Sequence, residues 1–181
     1  MRIVIGGGGK VGEFLCQELS KANHDVFMIE IKENILQNII DKNDISGIVG
    51  NCASYETLLE AEVDRADMFI AVSSSDEVNM VAAVLAKHMG AVHTTVRIRN
   101  PVYMTQNGLL NKGLGVDVVI NPEFEAAIHI ADMIRNSHAL NVESFSRNRV
   151  SLIELHIDPN SELTNMALSE FRRRFGDIIL A

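Results

Sequence analysis

Arg2–Gly12 reads RIVIGGGGKVG, a short apolar run followed at once by a glycine-rich turn. Three of its glycines have the spacing Gly7-x-Gly9-x-x-Gly12. In a strand–turn–helix unit the first glycine allows a tight turn, the second lets a pyrophosphate approach the backbone, and the third lets helix and strand pack closely. The free N–H groups at the helix start then face the phosphates. This stretch therefore predicts the dinucleotide-type nucleotide-binding half of a Rossmann fold.

Short apolar runs alternate with segments of helical period from residue 2 to about residue 136. The runs are aliphatic or β-branched, which is typical of parallel strands buried on both faces. Repeated strand–helix alternation predicts a mostly parallel sheet with helices on both faces and right-handed crossovers. We therefore predict an α/β, doubly wound Rossmann-like domain over residues 1–136, with a crevice at the carboxyl ends of its strands.

The same patterns set the limits of the elements. The six predicted strands are Arg2–Ile5, Asp25–Glu30, Gly47–Gly50, Met68–Val72, Thr94–Ile98 and Val116–Ile120. The first helix has an apolar stripe formed by Val11, Phe14, Leu15, Leu19 and Ala22. Two longer helices are predicted over Asp76–Met89 and Pro122–Arg135, the second capped by Asn121.

The character of the chain changes after Arg135. Asn136–Asn148 is polar and predicts a loop, within a linker over residues 137–149. A partly alternating strand over Val150–Ile157, a turn and a short helix over Leu168–Phe175 follow, and the apolar Ile178–Leu180 resembles the start of another strand. We predict a small α+β subdomain over residues 150–181 and expect the chain to stop partway through it.

Composition limits the classes of partner. The net charge is −8 and the isoelectric point about 5.2, which argues against nucleic-acid binding because phosphates would be repelled. The one dense basic run, Arg172–Arg174, points around a helix and predicts a solvated surface. The apolar run Ile3–Ile5 is far shorter than a signal peptide or a spanning helix needs. With two cysteines, Cys16 and Cys52, too few for a disulfide framework, we expect a soluble protein of the reducing cytoplasm that reaches a membrane only through a partner.

Charged residues near the turn bear on the ligand. Glu30 ends the second strand, 18 residues after Gly12. There its carboxylate can accept hydrogen bonds from the ribose hydroxyls and would repel the 2′-phosphate of NADP. Lys10 lies inside the turn and favours a ligand with more phosphate charge, such as ATP or ADP, over a dinucleotide. Both remain open to the alternative of ordinary solvated side chains.

Later strand ends supply the rest of the crevice. Asn51 follows the third strand and can meet the adenine. Ser73–Asp76 follows the fourth, although Ser74 with Glu77 also makes a capping box. Arg97 is a charge in a central strand, which is costly unless paired, so we expect it to face a phosphate or Glu30. Glu123 matches the dipole of the last helix, with a cation site as the lesser alternative.

No constellation predicts catalysis. Neither Tyr55 nor Tyr103 has a lysine four residues on, and the six histidines lack zinc-site spacing. About 45 residues after the last helix leave little room for the substrate domain of a dehydrogenase. We therefore expect no enzymatic activity. A small NAD-dependent oxidoreductase component and a scaffold with a vestigial site are the alternatives.

Several longer motifs carry a family resemblance. They are Ile3–Gly12, Glu30, Gly50-Asn51, Ala66–Ala82 (ADMFIAVSSSDEVNMVA), Val96–Pro101 (VRIRNP) and Ile120–Glu123 (INPE). Together they resemble the RCK, or KTN, domain of TrkA-type cytoplasmic subunits of bacterial potassium uptake systems. Residues from about 150 look like the start of the smaller carboxyl-terminal RCK subdomain.

The resemblance implies a non-catalytic regulatory subunit. It would form homodimers that assemble into a ring beneath a membrane-embedded potassium-translocating subunit, and NAD or NADH, or alternatively ATP, ADP or AMP, would shift that ring. The implied nucleotide ligands are Gly7, Gly8, Gly9, Lys10, Val11, Glu30, Ser73, Ser74 and Arg97, with an acid at Glu123 serving a cation. Gly8 and Lys10 depart from the usual choices in TrkA turns, which leaves NAD and ATP both open.

Overall fold

The structure, a computed structural model, describes residues 1–104, 113, 115–135, 139–145 and 150–176. These form two units, Met1–Phe124 and Glu125–Ala181. Strands of the first unit are β1 Arg2–Gly6, β2 Asp25–Glu30, β3 Ser46–Val49, β4 Met68–Ala71, β5 His93–Arg97 and β6 Val118–Ile120. The helices are α1 Lys10–Lys21, α2 Glu33–Lys42, α3 Tyr55–Glu60, α4 Asp76–Met89, α5 Pro101–Met104 and α6 Pro122–Arg135, with a 3-10 turn at Val63–Arg65.

The six strands form one parallel sheet in the order β3-β2-β1-β4-β5-β6. The chain winds one way from β1 to β3 and the other way from β4 to β6, so the order reverses between β1 and β4. This confirms the doubly wound Rossmann-like fold, and all six predicted strands lie within two residues of their observed limits. A crevice opens outside the carboxyl ends of the strands at such a reversal.

Alternate residues of the central strands fill two separate cores. Ile3 and Ile5 point to one face of the sheet, where they pack with Cys16 of α1 and Leu36 of α2. Val4 points to the other face. There the core includes Leu58 of α3, Phe69 of β4 and the alanines Ala82, Ala83 and Ala86 of α4. Both faces are covered, which explains why these strands are apolar throughout.

Side chains fix where the helices begin. Asn121 caps α6 as predicted, since its Oδ1 accepts the N–H of Phe124 at 3.0 Å. The predicted capping box of Ser74 with Glu77 was wrong, because α4 begins at Asp76, as predicted, and the cap is the residue directly before it. Ser75 is the N-cap of α4, and its Oγ accepts the N–H of Val78 at 3.3 Å.

The second unit has an antiparallel pair, β7 Ala139–Phe145 and β8 Val150–Leu155. The loop predicted over Asn136–Asn148 was wrong for residues 139–145, because this polar stretch finds a pairing partner in β8. Residues 136–138 and 146–148 of that prediction lie outside the described residues. The domain limits predicted at residues 136 and 150 stay predictions.

The described part of the second unit also contains residues 125–135 of α6 and a short helix, α7 Leu168–Arg174. Arg172, Arg173 and Arg174 are exposed, as expected of a solvated surface, and Arg174 pairs with Glu162 at 2.9 Å. The strand expected at Ile178–Leu180 lies outside the described residues. Within the part of the chain that the structure describes, no helix has both the length and the apolar character to cross a membrane.

Candidate nucleotide-binding site

The glycine turn joins β1 to α1 and requires two of its glycines. Gly7 has φ +112°, and a Cβ there would lie 2.6 Å from the backbone nitrogen of Ser73. A Cβ on Gly12 would lie 1.9 Å from the carbonyl oxygen of Gly7. A Cβ on Gly9, in contrast, would meet no protein atom within 4 Å. The turn is therefore packed tightly on its inner side and open at Gly9.

The start of α1 presents free backbone donors. The first hydrogen bond of the helix runs from the Glu13 N–H to the Gly9 carbonyl at 2.8 Å. The N–H groups of Lys10, Val11 and Gly12 therefore have no acceptor within the helix. The Lys10 side chain is exposed and that of Val11 is half-buried. This helix end combines free donors with a positive dipole end, which suits an anion.

Glu30 closes over the turn from the end of β2. Its side chain is buried, and Oε2 accepts the Gly8 N–H at 2.6 Å while Oε1 accepts the Lys32 N–H at 3.0 Å. A side chain at position 8 would press on this carboxylate, because a Cβ on Gly8 would lie 3.2 Å from Oε2. Glu30, the residue predicted to bind ribose, is thus held by two backbone donors, one in the glycine turn and one just after β2.

A cleft of about 190 Å³ lies at the carboxyl ends of the strands. Its lining includes five of the predicted residues, namely Gly7, Glu30, Asn51, Ser73 and Ser74. It also includes Ile29, Ile31, Gly50, Cys52 and Ser75, each next to a predicted residue in the chain, and Val78 of α4. The apolar members were missed because each looks like an ordinary core or surface residue. The structure thus places the turn, β2, β3 and β4 around one space.

The wall after β3 is held by local hydrogen bonds. Asn51 is exposed, and its Oδ1 accepts the Ala53 N–H at 2.9 Å. Cys52 beside it is buried, and burial raises the pKa of its thiol to about 11. A neutral, buried thiol is a poor nucleophile. The cleft therefore offers polar and apolar contacts here and no reactive group.

The wall after β4 is fixed by Asn79, a residue the sequence reasoning missed. This fully buried side chain accepts the Ser73 N–H at 2.8 Å. Its amide donates to the Ser73 carbonyl at 3.2 Å and to the Arg97 carbonyl at 3.0 Å. The signal was available, since a lone asparagine on the apolar face of a helix needs buried partners.

Arg97 has a partner other than the one expected. Its guanidinium pairs with Glu123 at the start of α6, and not with Glu30. The Arg97 side chain is 13% exposed, whereas that of Glu123 is 54% exposed. The Nε of Arg97 is buried and makes no hydrogen bond within the described residues. Arg97 is therefore a buried cation with spare hydrogen-bonding capacity, and Glu123 is its counter-ion.

A cation role for Glu123 stays a prediction. Across the described residues, no group of three or more histidine, cysteine, aspartate or glutamate side chains is arranged to hold a metal ion. The Glu123 carboxylate faces Arg97. Its first-turn position on α6 also matches the helix dipole.

Comparison with known proteins gives the chain its relatives. The TrkA-N domain family matches residues 3–122. The chain is 37% identical to a Trk system potassium uptake protein TrkA homolog of Archaeoglobus fulgidus over 94% of its own length and 38% of the relative's. It is 32% identical to the Trk system potassium uptake protein TrkA of Haemophilus influenzae over 98% of its own length and 40% of the relative's. The chain thus spans about two fifths of the curated relatives it matches.

Solved structures share the fold. The TrkA-N domain of the inner membrane protein YbaL from Escherichia coli superposes with a TM-score of 0.65 at 16% identity, covering 74% of this chain and 96% of that one. The GsuK channel bound to NAD gives 0.60 at 16% identity, over 80% of this chain and 25% of that one. The AMP-bound carboxyl-terminal domain of Kef from Shewanella denitrificans gives 0.59 at 14% identity, over 75% and 82%.

Proposed function

The chain belongs to the TrkA-N domain family, and on that premise we propose that it is a nucleotide-sensing regulatory subunit of a potassium uptake transporter. It binds NAD(H), or alternatively ATP, ADP or AMP, and controls a membrane-embedded translocating subunit from the cytoplasmic side. One observation carries the proposal: the Glu30 carboxylate meets the Gly8 N–H of the glycine turn at 2.6 Å, beside the cleft at the sheet's reversal point.

The cleft suits an adenosine nucleotide in three parts. The free N–H groups of the first turn of α1 receive phosphate, assisted by the helix dipole and by Lys10. Each Glu30 oxygen accepts one backbone hydrogen bond and keeps a lone pair for a ribose hydroxyl. Asn51 and the apolar wall beside it face the base. A 2′-phosphate would be repelled by Glu30, so NAD is favoured over NADP.

The proposed role is regulation without catalysis. A bound nucleotide shifts a conformational equilibrium only by the difference in its affinity for the two states. In a homodimer that assembles into a ring, that shift passes to the membrane subunit by protein contact. Support comes from the relatives, which are Trk system potassium uptake proteins that match 94% to 98% of this chain.

The test uses calorimetry with NADH, NAD, ATP, ADP, AMP and NADP on the purified protein. Binding of at least one of the first five, with NADP weaker than NAD, is the expected result. Absence of binding by all six up to about millimolar concentration would contradict the proposal. Sustained hydride transfer from NADH to a substrate would favour the alternative of a small oxidoreductase component.

A substitution at Gly9 tests where the phosphates bind. Its φ of −70° is accessible to any residue, and its Cβ would enter open space, so Gly9→Leu is expected to fold. The new side chain would stand where the phosphates approach and should abolish nucleotide binding. A variant that binds as the wild type does would place the phosphates elsewhere. If transport in cells is also unchanged, a scaffold with a vestigial site becomes the better account.

A further inference from the structure

We infer that Asn79 is a positioning residue for the phosphate-binding part of the cleft, acting through the backbone of Ser73 and Arg97. The inference rests on the proposed nucleotide binding and deepens it. Asn79 makes no cleft contact of its own, since the cleft lining includes Ser73 and Val78 but not Asn79. Its effect on a ligand must therefore pass through the residues it holds.

The hydrogen bonds of Asn79 join two strand ends that carry different parts of the site. Its side chain accepts the main-chain N–H of Ser73 and donates to the main-chain carbonyl of the same residue. Ser73 follows β4 and lines the cleft. The same amide also holds the carbonyl of Arg97, the last residue of β5. The main-chain pairing of β4 with β5 ends at Ala71 and Val96, so it does not join Ser73 to Arg97.

A second buried side chain on the same helix strengthens the arrangement. Asp76 lies three residues before Asn79, and its Oδ2 accepts the N–H groups of Arg99 at 3.0 Å and Asn100 at 2.8 Å. The first turns of α4 thus hold the chain on both sides of Ile98. Arg97, whose side chain is buried and charged, sits at the start of this held segment. The direction of its guanidinium depends on that backbone.

Removal of Asn79 therefore has a specific expected signature. In Asn79→Ala the Ser73 N–H and two carbonyls lose their partners inside the protein, and the ends of β4 and β5 are free to separate. Ser73 packs directly against the glycine turn, since a Cβ on Gly7 would lie 2.6 Å from its backbone nitrogen, and Arg97 is a cation whose backbone Asn79 also holds. Ligands with phosphate should therefore lose affinity, while adenosine, held at Glu30, should not. A general loosening of the protein would weaken all of these ligands alike.

The experiment measures affinity for ADP and for adenosine in the wild type, Asn79→Ala and Val63→Ala. Val63 is a fully buried valine in the 3-10 turn before β4, at the opposite end of the sheet from the cleft. Val63→Ala therefore lowers the stability of the protein without changing a residue of the cleft, and serves as the control. We expect Asn79→Ala to weaken ADP about tenfold and adenosine less than about twofold. Val63→Ala should change neither affinity.

A second variant, Asn79→Asp, is available if the alanine variant does not fold. It keeps the acceptor for the Ser73 N–H and loses the amide donors, so it should also weaken the affinity for ADP.

A double-mutant cycle separates positioning from indirect damage. If Asn79 acts through Arg97, then Asn79→Ala in an Arg97→Ala background should weaken ADP by much less than it does in the wild type. Additive losses, equal losses of ADP and adenosine, or wild-type affinity in both Asn79 variants would each overturn the inference. Wild-type protein that binds ADP keeps the proposed function standing whichever of these occurs. Wild-type protein that binds no nucleotide overturns both.

Discussion

Glu30 shows how one residue links the stability of the turn to ligand choice. Its carboxylate accepts hydrogen bonds from the N–H groups of Gly8 and Lys32. Hydrogen bonds to a charged acceptor are among the stronger ones. The carboxylate is therefore held beside the glycine turn by the backbone. In the proposed mode of binding, its negative charge lies where a 2′-phosphate would have to enter.

Glu30→Ala is expected to weaken NAD and ADP about tenfold, because the ribose hydroxyls lose a charged acceptor. The same change removes the repulsion of the 2′-phosphate, so the preference for NAD over NADP should narrow. Calorimetry with the three ligands measures both effects. Glu33→Ala, an exposed carboxylate at the start of α2, is the control and should change none of them. An unchanged NAD:NADP ratio in Glu30→Ala would argue against the ribose role.

Substitution by alanine should destabilise the protein strongly at Gly12 and hardly at all at Gly9. Gly12→Ala places a methyl group 1.9 Å from the Gly7 carbonyl oxygen, so the turn must shift. We expect a loss of at least about 2 kcal/mol in the free energy of unfolding, measured with urea. Gly9→Ala adds a methyl group in open space and should change that free energy by less than about 0.5 kcal/mol. Similar losses for both would show that the turn does not have the packing described.

Residue-level contacts were the least predictable part of the site. The spacing of the glycines and the position of Glu30 follow from local rules, and the structure brings Glu30 to the turn as those rules require. Arg97 was expected to face a phosphate or Glu30, and it pairs with Glu123 and not with Glu30. That choice depends on how the start of α6 packs beside β5, which local sequence does not encode. The role of Asn79 was not predicted for the same reason, because its hydrogen-bond partners, Ser73 and Arg97, lie outside its own helix.

At the scale of elements, the sequence predicted best where an apolar run or a helix cap marks the limits of the element. The limits predicted for Asp25–Glu30, Asp76–Met89 and Pro122–Arg135 match those of β2, α4 and α6. The pattern failed where tertiary pairing decides. Four of the seven residues of Ala139–Phe145 (ALNVESF) are apolar, but polar residues surround the segment and hide its strand pattern; it pairs with β8 as a strand.

The start of α4 gives a prediction at this scale. Ser75→Ala removes the Oγ that accepts the Val78 N–H, and should lower the free energy of unfolding by about 1 kcal/mol. Ser74→Ala is the natural control, because the Ser74 hydroxyl is not the cap and only its carbonyl is used, by Arg99. Urea unfolding of both variants measures the difference. A larger loss for Ser74→Ala would restore the capping box that the sequence predicts.

At the scale of the whole first unit, the reactivity of two buried cysteines measures how each side of the sheet opens. Cys16 packs with the α1 and α2 side, and Cys52 packs with the α3 and α4 side. Burial raises the pKa of Cys16 to about 12, with a further contribution from Glu13, and burial likewise raises that of Cys52 to about 11. Both thiols are therefore inaccessible and protonated in the folded protein, and each becomes reactive only when its side of the fold opens.

Thiol labelling with and without nucleotide should therefore show whether the first unit opens as one body. A ligand that binds only the folded state lowers the unfolded fraction by a factor of 1 + [L]/Kd, so at about ten times Kd a globally gated thiol should react about tenfold more slowly. Because both cores share the same six strands, we expect Cys16 and Cys52 to slow equally. Cys16→Ala and Cys52→Ala assign each rate, measured with an excess of thiol reagent at pH 8. Slowing of Cys52 alone would mean that the nucleotide protects the cleft, which Cys52 lines, without changing the opening of the whole unit.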